Sequence, residues 1–104
     1  MFTSQLSNDG NIMTVSFEGR MDGIKVKEIE DNVQRELSNN SEANPNLKIV
    51  FDLEKVDYIA SAFIRICVAT AKGLSEGNFS ITHTDPMVKK TFKIAGLENV
   101  LRVS

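Results

Sequence analysis

The amino-acid sequence predicts an α/β domain with a mixed central sheet of four to five strands and crossover helices packed against it. Short alternating or apolar runs at residues 2–6, 12–17, 47–53 and 79–83 carry the strand signal. Between them lie stretches with apolar residues three and four apart, the period of an amphipathic helix. Strands that alternate with helices pair with crossover connections, which requires parallel neighbours.

The elements follow in order. Phe2 to Leu6 and Ile12 to Phe17 read as a hairpin across Asn8-Asp9-Gly10-Asn11, residues that tolerate positive φ. In the second strand Met13, Val15 and Phe17 point one way, and Thr14 and Ser16 the other. Asp22 is placed to cap a helix whose inner face is Val26, Ile29, Val33 and Leu37. The polar stretch Ser38 to Asn46 reads as a loop after that helix. Leu47 to Leu53 reads as a central strand, Glu54 to Ala60 as a short loop, and Ser61 to about Leu74 as the most buried helix. Gly77 and Asn78 mark a turn and Phe79 to His83 alternates as a strand. Asp85-Pro86 opens a last helix with the stripe Val88, Phe92 and Ala95, ended by Gly96. Leu101 to Val103 reads as an optional final strand, giving the order ββαβαβα with that strand appended.

At 104 residues the chain holds one core and not two, so residues 1–104 read as a single domain. Apolar residues at 41% and charged residues at 25% argue against disorder. A net charge of −2 lacks the basic excess of a nucleic-acid binder. No apolar run approaches the roughly 18 residues of a membrane span, and Met1 to Asn8 lacks the regions of a signal peptide. These features point to a cytoplasmic chain with neither nucleic acid nor membrane as partner. The single cysteine, Cys67, lies in an apolar run. It reads as a buried thiol in a reducing compartment and excludes an internal disulfide or a multi-cysteine zinc site.

Little in the sequence suggests catalysis. His83 is the sole histidine and stands at a strand end, where a structural or solvated role is expected. No GxGxxG, P-loop or HExxH motif is present, and no nucleophile–base pair or metal-ligand set emerges. Lys89, Lys90 and Lys93 read as a wet helix face whose charge suits the helix C-terminus. No catalytic, cofactor-binding or metal-binding residue is therefore assigned, and the chain reads as a binding protein rather than an enzyme. Ser61 has two readings. Its hydroxyl either caps the helix, contributing about 1 kcal/mol, or is a phosphorylation site, where free amides and the positive dipole end accommodate a dianion.

Four pieces, spread over residues 12–103, resemble the STAS family, which includes the bacterial anti-sigma factor antagonists. Phe17-Glu18-Gly19-Arg20-Met21-Asp22 is similar to the family's hydrophobic-x-Gly-x-hydrophobic-Asp before the first helix. Val50 to Ile59 resembles its strand-Asp-Leu-x-x-Val-x-x-Ile run, and Ala60-Ser61-Ala62-Phe63-Ile64 falls on its Asp-Ser-Ser/Ala-Gly-Leu helix start. Asp85-Pro86-Met87-Val88 with Phe92 and Ala95-Gly96-Leu97 resembles its last helix and Gly-Leu ending. The resemblance implies a partner-switching regulator of transcription. Its unphosphorylated form binds a serine protein kinase of the histidine-kinase-like ATPase type that doubles as an anti-sigma factor. Phosphorylation of Ser61 releases the partner, and a serine phosphatase resets the cycle. The implied docking residues are Asp22, Gly23, Ala60, Ala62, Phe63 and Arg65. Two positions depart from the pattern: Ala60 replaces the family's acid, and Phe63 replaces its glycine. Those departures support a second reading, a constitutive scaffold or assembly subunit in which Ser61 is not modified. A third reading is a small-ligand-binding module with its pocket near the same helix.

Overall fold

The computed structural model describes residues 1–104. Strands β1 (Phe2–Leu6) and β2 (Ile12–Met21) form the expected hairpin, in register from Phe2↔Phe17 to Leu6↔Met13. Helix α1 (Gly23–Ala43) leads to β3 (Lys48–Ile59), α2 (Ser61–Lys72) to β4 (Phe79–Thr82), and α3 (Pro86–Ile94) follows. The sheet order is β1-β2-β3-β4, antiparallel at the first pair and parallel at the other two. Both crossovers advance in the same direction along the sheet. Right-handed connections therefore put α1 and α2 on one face, where they pack against each other.

That face holds the core. Met13, Val15, Phe17 and Met21 of β2 are buried, as are Ile49, Phe51 and Leu53 of β3 and Phe79 and Ile81 of β4. They meet Val26, Ile29, Val33 and Leu37 of α1 and Phe63, Ile66 and Cys67 of α2. Phe17 is an aromatic hub. Its ring stands edge-on to Phe51 and to Phe63, each with centroids 5.0 Å apart, and Phe51 does the same with Phe79 at 4.9 Å. Such pairs add to the area burial of large side chains.

Several boundaries differ from the sequence reading, each for a local reason. Helix α1 continues through Ser38–Ala43, which was expected to be loop. Here the polar side chains reinforce helix carbonyls instead of competing with them: Asn40 Nδ2 donates to Glu36 O at 2.8 Å and Ser41 Oγ to Leu37 O at 2.6 Å. Asn44 then ends the helix ahead of Pro45, and its Nδ2 donates to Gly10 O at 3.0 Å, tying this corner to the β1–β2 turn.

Strand β3 likewise runs on through Glu54–Ile59, where a loop was expected. Pairing with β2 persists to Met21↔Ile59 across two register shifts, between Ser16 and Glu18 and between Gly19 and Arg20. Gly19 adopts φ +99, a backbone that favours glycine. The buried residues Val56 and Ile59 are three apart because of the irregularity, so the period-two signal vanishes from the sequence.

Helix α3 starts as expected, with Asp85 Oδ1 accepting from Val88 N at 2.8 Å. Ala95 is exposed and lies outside the buried stripe, which is Val88 and Phe92 alone. Gly96, at φ +75, closes the helix while Leu97 N donates back to Phe92 O. His83 turns out of β4 at φ +58, ending that strand one residue early. Val103 forms a single bridge to Ile81 in place of a fifth strand, which settles the sheet at four.

Candidate functional site

The parallel β2–β3 pair places the starts of α1 and α2 side by side. Arg20↔Tyr58 and Met21↔Ile59 are its last rungs, and Ala60 N donates to Met21 O at 2.9 Å. The Asp22-Gly23 entry to α1 is thereby fixed next to Ala60-Ser61 at the entry to α2. Asp22 caps α1 as expected, with Oδ1 accepting from Lys25 N at 2.9 Å. Replacing it by alanine is expected to cost about 1 kcal/mol, read as a lowered midpoint of denaturation.

Ser61 does not cap its helix. Ala60, with extended backbone at φ −98 and ψ 169, occupies the cap position, and no side chain bonds the first turn. Ser61 is the first helical residue and is exposed. The first intrahelical bonds are those of Phe63 N and Ile64 N to Ala60 O, so the amides of Ser61 and Ala62 precede them. This is the electropositive end of a helix of 12 residues, without an acidic residue in its first turn. Of the two readings of Ser61, the capping one is not met, and the hydroxyl is left accessible.

Of the expected docking residues, Gly23 and Arg65 are exposed, and Asp22, Ala60 and Ala62 are half-buried. Ala62 and Arg65 border a shallow hollow of about 220 Å³ opposite Glu30 and Gln34 of α1. Phe63 does not belong with them. It is fully buried against Phe17 and Phe51 and cannot touch a partner. The position two residues after an exposed helical serine points inward here, and an aromatic ring fills the space beneath the first turn. Phe63 acts on the site by holding that turn down on the sheet.

Three further residues of this face, Arg20, Tyr58 and Ile24, escaped the sequence reading. The Arg20 guanidinium lies 3.8 Å from the centroid of the Tyr58 ring, a cation–π contact. Its Nε is also 3.8 Å from Asp22 Oδ2. Ile24, 75% exposed, rims a hollow of about 530 Å³ with Arg20 and Asp22. Both Arg20 and Tyr58 stand inside quoted motifs, but only the strand register, hidden by the bulges, brings them together.

Elsewhere, His83 is not isolated. Its Nδ1 lies 3.2 Å from Asp52 Oδ1 and 2.9 Å from Thr82 Oγ1, and the ligating atoms of Asp52, Glu54 and His83 fall within 4.8 Å of one another. Asp52 and Glu54, two residues apart on β3, share one face of the strand. Cys67 is buried as expected, and burial pushes its thiol well above the ordinary range. Its sulfur should not react with Ellman's reagent in the native protein and should titrate fully once the chain is denatured.

The fold is that of a small α/β domain in which the starts of α1 and α2 lie side by side at one end of the sheet. A family model of the STAS domain matches residues 4–104, and the chain belongs to the STAS family. Its fold is that of solved anti-sigma factor antagonists. One from Mycobacterium paratuberculosis is 19% identical with a TM-score of 0.77, over 99% of this chain and 85% of that one. A STAS-domain antagonist from Planctomyces limnophilus is 18% identical with a TM-score of 0.77, over 97% and 87%. The antagonist SpoIIAA in its unphosphorylated form is 12% identical with a TM-score of 0.65, over 90% and 83%. No curated protein sequence matches significantly. No helix is long and apolar enough to cross a membrane.

Proposed function

We propose that this domain is a phospho-regulated partner switch in bacterial transcription control, acting by binding rather than catalysis. The unphosphorylated face around Ser61 binds an anti-sigma factor that is also a serine kinase of the histidine-kinase-like ATPase type. Transfer of a phosphoryl group to the Ser61 hydroxyl opposes that binding, and a serine phosphatase restores it. The observation that carries this reading is an exposed hydroxyl on the first residue of α2, beside free helix amides and the Asp22-Gly23 entry. Those amides and the helix dipole stabilise a phosphate locally. The Arg65 guanidinium, one turn further along the same helix, adds a cation to the same surface.

A dianion that sits well on its own helix still disrupts a docked partner by repulsion and desolvation. The replacement of the family's acid by Ala60 removes a negative charge next to the phosphate. The Asp22 carboxylate, which caps α1, stands at the neighbouring helix entry.

Incubation with the cognate kinase and ATP tests the reading. One phosphoryl group is expected on Ser61 by intact mass and peptide mapping, with none on Ser61→Ala. A kinase that binds tightly yet leaves Ser61 unmodified would favour the constitutive scaffold.

A further inference from the structure

A cleft with a mainly apolar surface lies at the opposite end of α2 from Ser61, about 16 Å away along the helix at 1.5 Å per residue. It has a volume of about 480 Å³, within the range of small-molecule sites. Val68 and Ala71 of α2 form one wall, Phe79 of β4 the floor, and Leu97 and Leu101 of the C-terminal segment the other wall. Val100, 70% exposed, stands at the mouth.

Two cations border this apolar space, Lys72 from the last turn of α2 and Arg102 from the C-terminal segment. Neither takes part in any ion pair of the structure. The Arg102 guanidinium lies over Gly77 in the α2–β4 turn at the cleft's border, where a Cβ on that glycine would come within 3.3 Å of Nη2. Glu76 also lines the cleft but lies beyond ion-pair distance of both. An apolar interior whose rim carries two cations against one carboxylate, none of them ion-paired, fits a ligand that is apolar along its length and anionic at one end.

We propose that this cleft binds a single-chain amphiphilic anion, an alkyl carboxylate or alkyl phosphate. The chain lies between α2 and the C-terminal segment, and the head group meets Lys72 and Arg102. The site is separate from Ser61 and does not depend on the partner switch.

Titration of the ¹⁵N-labelled chain below micelle-forming concentrations tests this, using octanoate, octyl phosphate, neutral 1-octanol, acetate and inorganic phosphate. Saturable shifts are expected at the amides of Ala71, Leu74 and Val100 with both octyl anions. Octanol is expected to bind at least tenfold more weakly, and the two short anions to give no saturation. The tighter of the two octyl anions identifies the natural head group. The double variant Lys72→Gln/Arg102→Gln alters only exposed side chains and should keep its melting temperature while losing at least tenfold in octyl-anion affinity. Octanol binding as tightly as octanoate, an undiminished double variant, shifts centred elsewhere, or no saturable shift with either octyl anion would overturn the proposal.

Discussion

Truncating Phe63 to alanine is expected to lower the stability of the domain by about 3–5 kcal/mol, and the melting temperature by on the order of 15 °C or more. Phe63 is fully buried, edge-on to Phe17 at 88° and in reach of Phe51 at 6.3 Å. Its removal opens a cavity where α2 joins the sheet and loosens the turn that carries Ser61. Phe63→Leu keeps most of the volume and should cost under about 1.5 kcal/mol. Because Phe63 is out of reach of any partner, the leucine variant should bind the proposed kinase partner as the parent does. Urea denaturation of the two variants measures the difference. A loss below 1 kcal/mol for alanine would mean that the ring does not anchor the helix.

The second large effect concerns the proposed switch. Ser61→Asp places a full charge where the partner docks, and like-charge or desolvation penalties at an interface run to roughly 2–4 kcal/mol, or about 30- to 1,000-fold in affinity. Ser61→Ala removes an exposed hydroxyl that bonds nothing in the first turn, so its affinity should stay within about threefold of the parent. Calorimetric titration of the kinase with each variant reads both values. Equal binding by the two variants would contradict a switch at this residue.

The sequence carried the fold wherever burial leaves a clean period. Met13, Val15 and Phe17 alternate, and Val26, Ile29, Val33 and Leu37 follow the helical spacing; all are buried as their pattern required. It failed where a second interaction set the backbone. The far half of β3 is strand because of its pairing with β2, and the bulges that permit the pairing erase the alternation that would have announced it. The last turns of α1 are helical because Asn40 and Ser41 bond the helix rather than water.

At the site, the proximity of Asp22 and Ser61 was legible only through family resemblance, since it depends on two adjacent parallel strand ends. Asp22 and Ser61 hold the predicted element starts, but only Asp22 caps. Local spacing distinguishes poorly between the cap position and the first helical residue, and here that one-residue difference frees the hydroxyl. The inward direction of Phe63 was readable in principle from its spacing to Ile66 and Cys67, three and four residues on, which share the buried stripe. The Arg20–Tyr58 contact depends on register and had no sequence signal.

The decisive measurement compares the domain before and after stoichiometric phosphorylation of Ser61, following thermal melting and kinase affinity in the same preparation. A charge held outside the core at an amide-rich helix end should leave the melting temperature within about 3 °C while affinity drops by 100-fold or more. A phosphoprotein that melts far lower, or that still binds the kinase as tightly as the unmodified domain, would contradict the account.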